Sequence, residues 1–152
     1  MLHRREFAIA GLSAAALAAV RRSGFGDETS KPTGGDAHGA HYDKCAQVCS
    51  DCQRACSACE NYCVELVAGG ARHHLTTLRS CGDCADFCAT AAQIVARRGV
   101  MAELVCQGCA EACARCAKEC EQNGQNDKVM THCAEECRRC EAACREMISS
   151  KK

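Results

Sequence analysis

Eighteen cysteines crowd the stretch from Cys45 to Cys144, and within each run they recur every three or four residues. The first run is Cys45, Cys49, Cys52, Cys56, Cys59 and Cys63. The second is Cys81, Cys84 and Cys88; the third is Cys106, Cys109, Cys113, Cys116 and Cys120; the fourth is Cys133, Cys137, Cys140 and Cys144. On a helix, steps of three and four keep side chains on one face. Each run is therefore a column of sulfur, at positions where a helical bundle ordinarily carries Leu. The first column extends about 27 Å at 1.5 Å per residue, more than one metal site needs. All eighteen read as candidate metal ligands, since thiolate is a soft donor that selects soft metals.

Several chemistries compete for this pattern. Disulfides are the default in a cysteine-rich exported chain. Neighbours on one helix face, however, have Cβ atoms about 5–6 Å apart, whereas a disulfide wants about 3.5–4.5 Å. Only bridges between helices remain. Zinc or cadmium prefers closed tetrahedra, usually supplied by loops, although two facing thiol pairs make a four-thiolate site. Iron–sulfur and haem chemistry lack their signatures, because no C-x2-C-x2-C run and no C-x-x-C-H is present. Copper(I) is soft and accepts low coordination numbers. With a metal–sulfur length of about 2.3 Å, a linear S–Cu–S unit needs sulfurs about 4.5 Å apart. Leaning neighbours on one helix face meet that need, and this chemistry employs every cysteine. A low-capacity copper chaperone would employ the same residues, and capacity separates the two. No catalytic constellation or Gly-rich phosphate loop is present, so the chain does not read as an enzyme.

The elements that must position these columns are helices. The only proline is Pro32, and Ala, Glu, Arg, Lys and Gln fill most positions between the cysteines. Turn signals fall at Gly69-Gly70, at Arg98-Gly99 and at Asn123-Gly124-Gln125-Asn126. They delimit four helices at 41–68, 72–97, 100–122 and 127–149. Short connections make neighbours antiparallel, so the expected fold is an all-α, up-down-up-down four-helix bundle with a cysteine-lined core. Large apolar residues are too few for an ordinary core, and thiols pack as small hydrophobes in their place. Outward faces carry i,i+4 pairs such as Glu111/Arg115, Glu135/Arg139 and Glu141/Arg145.

Antiparallel geometry also sorts the other soft donors by end. His73, His74, Met130 and His132 gather beyond Cys63 and Cys120. Met130 and His132, beside Cys133, read as ligands at a mouth, and His73 joins them as a candidate; His73 and His74 fit a solvated turn equally well. Met101, Met147, Val95 and Leu104 read as an apolar plug at the opposite end.

Formal net charge is zero over 152 residues, which gives no electrostatic case for nucleic acid or an anionic membrane. Residues 1–22 read as a targeting segment, because His3-Arg4-Arg5-Glu6-Phe7 precedes the apolar run Ala8 to Val20 and resembles a twin-arginine signal. Residues 23–40, rich in glycine, read as a disordered linker, with His38 and His41 as solvated tail histidines. The expected location is therefore the periplasm or cell envelope, with no stable membrane association after export.

The segment from Cys45 to Cys144 resembles the bacterial copper storage proteins. The likeness rests on the inward Cys-x-x-Cys and Cys-x-x-x-Cys columns and on MTHCAEECRRCEAAC (130–144) opening the last helix. It implies a four-helix bundle holding many Cu(I) ions, mostly by pairs of cysteines, with an entrance at one end lined by Met and His. Copper ions are the implied partners, alongside copper donor or acceptor proteins, and self-association is left open. Some members are exported and others cytosolic. The leader resembles the exported kind, whereas the cysteine count is that of cytosolic members.

Overall fold

The computed structural model describes residues 37–149. The segment read as a signal, 1–22, and most of the linker lie outside them. Four helices follow in order: α1 (Ala37–Ala68), α2 (Leu75–Ala96), α3 (Ala102–Asn123) and α4 (Lys128–Ser149). Helix α1 packs against α2 and α4, and α3 packs against the same two, so the chain runs round an antiparallel ring. This is the expected up-down-up-down bundle.

The connections explain where the boundaries moved. Helix α1 starts at Ala37, four residues inside the stretch read as linker, so His41 is helical and lies 3.4 Å from Glu146 of α4. It ends in a Schellman turn: Gly70 has φ 99°, the Ala71 N–H donates to Leu66 C=O (3.0 Å), and the Gly70 N–H donates to Val67 C=O (3.0 Å). A 3₁₀ turn, Arg72–His74, then delays α2 to Leu75. The α2–α3 connection repeats the Schellman bonds, Gly99 to Ile94 and Arg98 to Val95, both 2.9 Å. Here Arg98, rather than Gly99, takes the left-handed position, at φ 52°.

Asp127 caps α4. Its Oδ1 accepts the N–H groups of Val129 (2.9 Å) and Met130 (3.0 Å), and its Oδ2 accepts the Tyr62 hydroxyl of α1 at 2.6 Å. Burial opposes ionisation, but the Tyr62 hydroxyl and the two backbone donors hold the carboxyl below its usual range. Asp127→Ala is expected to cost the apo bundle about 1–2 kcal/mol, read as a lower urea midpoint with unchanged helical content.

All eighteen cysteines are buried, Cys45 being the most exposed at 2 %. Small residues such as Ala85, Ala91, Ala110 and Ala117 flank them, and among the larger apolar side chains of the described residues only Tyr42, Val95, Met130 and Met147 are buried. Outside, Arg115–Glu111 (2.8 Å) and Arg145–Glu141 (2.9 Å) pair as expected. Arg139 instead pairs with Glu136, not Glu135. Glu136 is 5 % exposed, and a buried carboxylate gains more from a cation than a solvated one does. Arg138 ties α4 to Glu121 of α3 at 2.8 Å.

Candidate metal centre

The four columns meet along the bundle axis, and their closest approaches run between helices rather than along them. Cys56 and Cys137 Sγ atoms are 3.5 Å apart, and Cys88 and Cys113 are 3.6 Å apart. Cys49 lies 3.7 Å from both Cys140 and Cys144, and Cys81 lies 3.7 Å from Cys116. Neighbours on one helix are slightly farther: Cys52–Cys56 at 3.9 Å, and Cys84–Cys88 and Cys109–Cys113 at 4.0 Å. All eighteen are free thiols.

These distances gather the sulfurs into sets of four, with every Sγ within 4.8 Å of the others in its set. Along the axis they include Cys49/Cys109/Cys140/Cys144, Cys52/Cys84/Cys88/Cys113, Cys52/Cys56/Cys84/Cys137, Cys56/Cys116/Cys133/Cys137 and Cys59/Cys81/Cys120/Cys133. The last four of these share members in turn, Cys52 and Cys84, then Cys56 and Cys137, then Cys133, and Cys109 of the first set lies 4.0 Å from Cys113 of the second. A shared thiolate can bridge two metal ions, so the tube can hold a continuous metal–sulfur array. Separations of 3.5–4.0 Å also suit the edges of a tetrahedral four-thiolate site, about 3.8 Å for a 2.3 Å bond. Distance alone does not choose between copper and zinc.

Burial and mutual hydrogen bonding spread the thiol acidities widely. Burial, then the neighbouring Cys59, pushes Cys63 up to about 12. Cys106 is drawn down by its bond to Cys144, yet the bond to Cys45 and burial outweigh that and leave it at about 12. In mid-tube, Cys56 is raised, foremost by Cys116, while Cys52 is lowered, foremost by Cys113. Cys140 is lowered to about 7, foremost by Cys109. Cys49 is lowered to about 6: its bond to Cys109 opposes this, and its bonds to Cys140 and Cys144 prevail.

At the mouth, the structure redistributes the expected donors. Met130 is 1 % exposed and continues the α4 column. His132, beside Cys133, is instead on the outer face, its side chain 64 % exposed and Nδ1 4.0 Å from Glu136. Successive helical residues point about 100° apart, so a neighbour of a seam cysteine leaves the seam. His73 is exposed, and His74, turned inward by the 3₁₀ segment, is 8 % exposed with its ring 4.0 Å from that of His73. His74 Nδ1 and the Oγ1 of fully buried Thr77 have no hydrogen-bond partner. Burial, then His73, lowers the His74 pKa, which keeps the imidazole neutral and able to bind metal. Sequence reasoning placed His74 at this end but as fitting a solvated turn equally well, and it missed Thr77 and Asp127. The column steps 74, 77, 81, 84 and 88 turn His74 and Thr77 inward, and the residue before α4 is the cap position that Asp127 fills. At the other end, Val95, Met147, Ala102 and Tyr42 are buried, but Met101 (57 %) and Leu104 (65 %) are exposed, so those two are not part of the plug. Both precede the first seam cysteine of α3 at positions facing solvent.

A family model described as copper storage protein matches residues 38–149. A structure of a cytosolic copper storage protein from Streptomyces lividans, described with five coppers, is 31% identical; it covers 74% of this chain and 95% of its own, with TM-score 0.67. The S. lividans protein loaded with 10 copper equivalents is 31% identical over 77% of this chain and 93% of its own, with TM-score 0.66. The Cu(I)-bound copper storage protein BsCsp3 is 29% identical over 71% of this chain and 98% of its own, with TM-score 0.65. No curated protein sequence matches. The cytosolic description of the S. lividans protein overturns the expectation of a periplasmic location. That expectation rested on residues 1–22, which lie outside the described residues. Among the described residues, no helix is long and apolar enough to cross a membrane.

Proposed function

This chain belongs to the copper storage protein family and stores multiple Cu(I) ions on thiolates of its core, and on that premise we propose that all eighteen buried cysteines serve as ligands. The single observation that carries this assignment is the set of overlapping four-sulfur groups filling the bundle axis.

Each arriving Cu(I) displaces thiol protons. A two-thiolate site would carry net negative charge, costly inside a bundle. Sharing each thiolate between two ions brings the ratio towards one ion per sulfur and the array towards neutrality. Met130 and His74 stand at the mouth, beyond Cys63 and Cys120, as weaker donors suited to capture and release. His73 stands outside His74 as a preceding contact. His132, facing solvent, has no place in this route. The storage unit is the bundle itself, and the role is non-catalytic. Proteins that donate or accept copper would meet it at the mouth.

Anaerobic titration of the reduced chain with Cu(I), against a chelator of known affinity, tests this reading. Expected is tight uptake of more than about ten ions per chain, with proton release. Saturation at one or two ions would make the protein a chaperone instead.

A further inference from the structure

The tube has a flank as well as ends. Between α2 and α3 a groove of about 440 Å³ runs along the outside, and Cys84 forms part of its lining. Thr76, Ser80, Gly108 and Ala112 make its walls low, and Phe87 closes it. The Phe87 ring lies across Gly108 so closely that a Cβ there would meet Cε1 at 2.9 Å, yet the side chain is 46 % exposed. It is a cover held from one side only. Beneath it, Cys84 bonds to Cys113 at 3.7 Å and to Cys88 and Cys137 at 4.0 Å. Cys84 also belongs to two adjoining four-sulfur sets, so a metal reaching it is already in mid-tube.

From this geometry we propose that the groove is a lateral port, where Cu(I) carried by a small carboxylated thiol is handed to Cys84. The proposal rests on the storage reading above. The volume lies in the range of small-molecule sites, roughly 300–1,000 Å³, and is too small for a protein element. The sulfur on the groove's inner side selects a soft metal. Charges at the rim suit a zwitterionic carrier: Arg115 is paired with Glu111 at 2.8 Å, whereas Arg79 makes no ion pair among the described residues and is available to a carboxylate. Asp83 is placed to meet an ammonium group. The transfer is a ligand exchange. A bond forms between Cu and Cys84 Sγ, the bond from Cu to the carrier sulfur breaks, and the Cys84 proton passes to the departing thiolate. Copper remains Cu(I), and no electrons are exchanged.

The test is stopped-flow uptake from the Cu(I) complex of glutathione by the reduced full chain. Phe87→Ala should speed uptake several-fold, and Gly108→Leu, filling the groove, should slow it, with final capacity unchanged in both. At low loading, cysteine-protection mapping should find Cys52, Cys84, Cys88 and Cys113 shielded first. Unchanged rates in Phe87→Ala, whatever the fold of Gly108→Leu, would overturn the port, as would first protection of Cys59, Cys63 and Cys120 at the mouth. A wild-type chain that fills to high capacity in either case leaves storage standing, whereas one that takes up no copper refutes storage itself.

Discussion

Filling the tube with Cu(I) is expected to raise the melting temperature of the bundle by on the order of 15 °C for the first tight site alone. A ligand at a thousand times its dissociation constant stabilises the folded state by about 4 kcal/mol, and a domain near this size gains about 4 °C per kcal/mol. Later sites add to this. The effect is large because the apo core is thin: thiols and alanines occupy positions where leucines would bury more apolar area. Unfolded cysteines also bind Cu(I), so the measured surplus reports how well the folded tube prearranges its sulfurs. Calorimetry of the reduced apo and loaded forms decides the matter. Coincident transitions would mean that metal binds no better to the bundle than to the open chain.

Acid is expected to empty the store. Each Cu(I)–thiolate bond competes with a proton, so affinity falls as pH falls, about tenfold per pH unit for each proton displaced. Cys63 and Cys106, held at about 12, stand near opposite ends and resist ionisation, as do raised mid-tube thiols such as Cys56 and Cys113. Cys49 and Cys140, at about 6 and 7 and 3.7 Å apart, ionise readily and should keep metal to lower pH than Cys63 or Cys106. Chelator competition between about pH 5 and 8, read with site-resolved cysteine protection, checks both the direction and the order. The same two raised values set the opposite trend in the apo protein. Their folded pKa lies above the ordinary 9.0, so the stability they contribute is fully present below about pH 9 and is lost between 9 and 12. Apo and loaded forms should therefore diverge most on the alkaline side. Loading that is insensitive to pH would contradict a thiolate site.

The columns were legible because burial on a helix leaves a period, and every seam cysteine obeyed it. The same period extends the α4 column to Met130 and Met147, both buried. His132 went astray because adjacency in sequence was taken for adjacency in space. His74 was harder to separate from His73: the answer depends on the 3₁₀ turn, whose rotation two adjacent histidines do not reveal. The stop at Arg98 was placed correctly, but Gly99 drew attention from the residue that adopts the left-handed conformation. Glu136, not Glu135, holding Arg139 shows where pairing rules end, because desolvation rather than spacing decides that partner. The flank of Cys84 was not legible at all. It depends on Phe87 of one helix lying over Gly108 of another, and periodicity within either helix carries no such information.

The distances across the axis have one more consequence. Facing sulfurs such as Cys56 and Cys137 rest 3.5 Å apart, whereas a linear S–Cu–S unit spans about 4.5 Å. Linear cargo would therefore need a wider container than a four-thiolate site does. A linear rung there would part the neighbouring helices α1 and α4, and the tie Lys44–Glu146 that joins the same two would stretch or re-form with it. The spacing of that outer ion pair would then follow the filling of the tube.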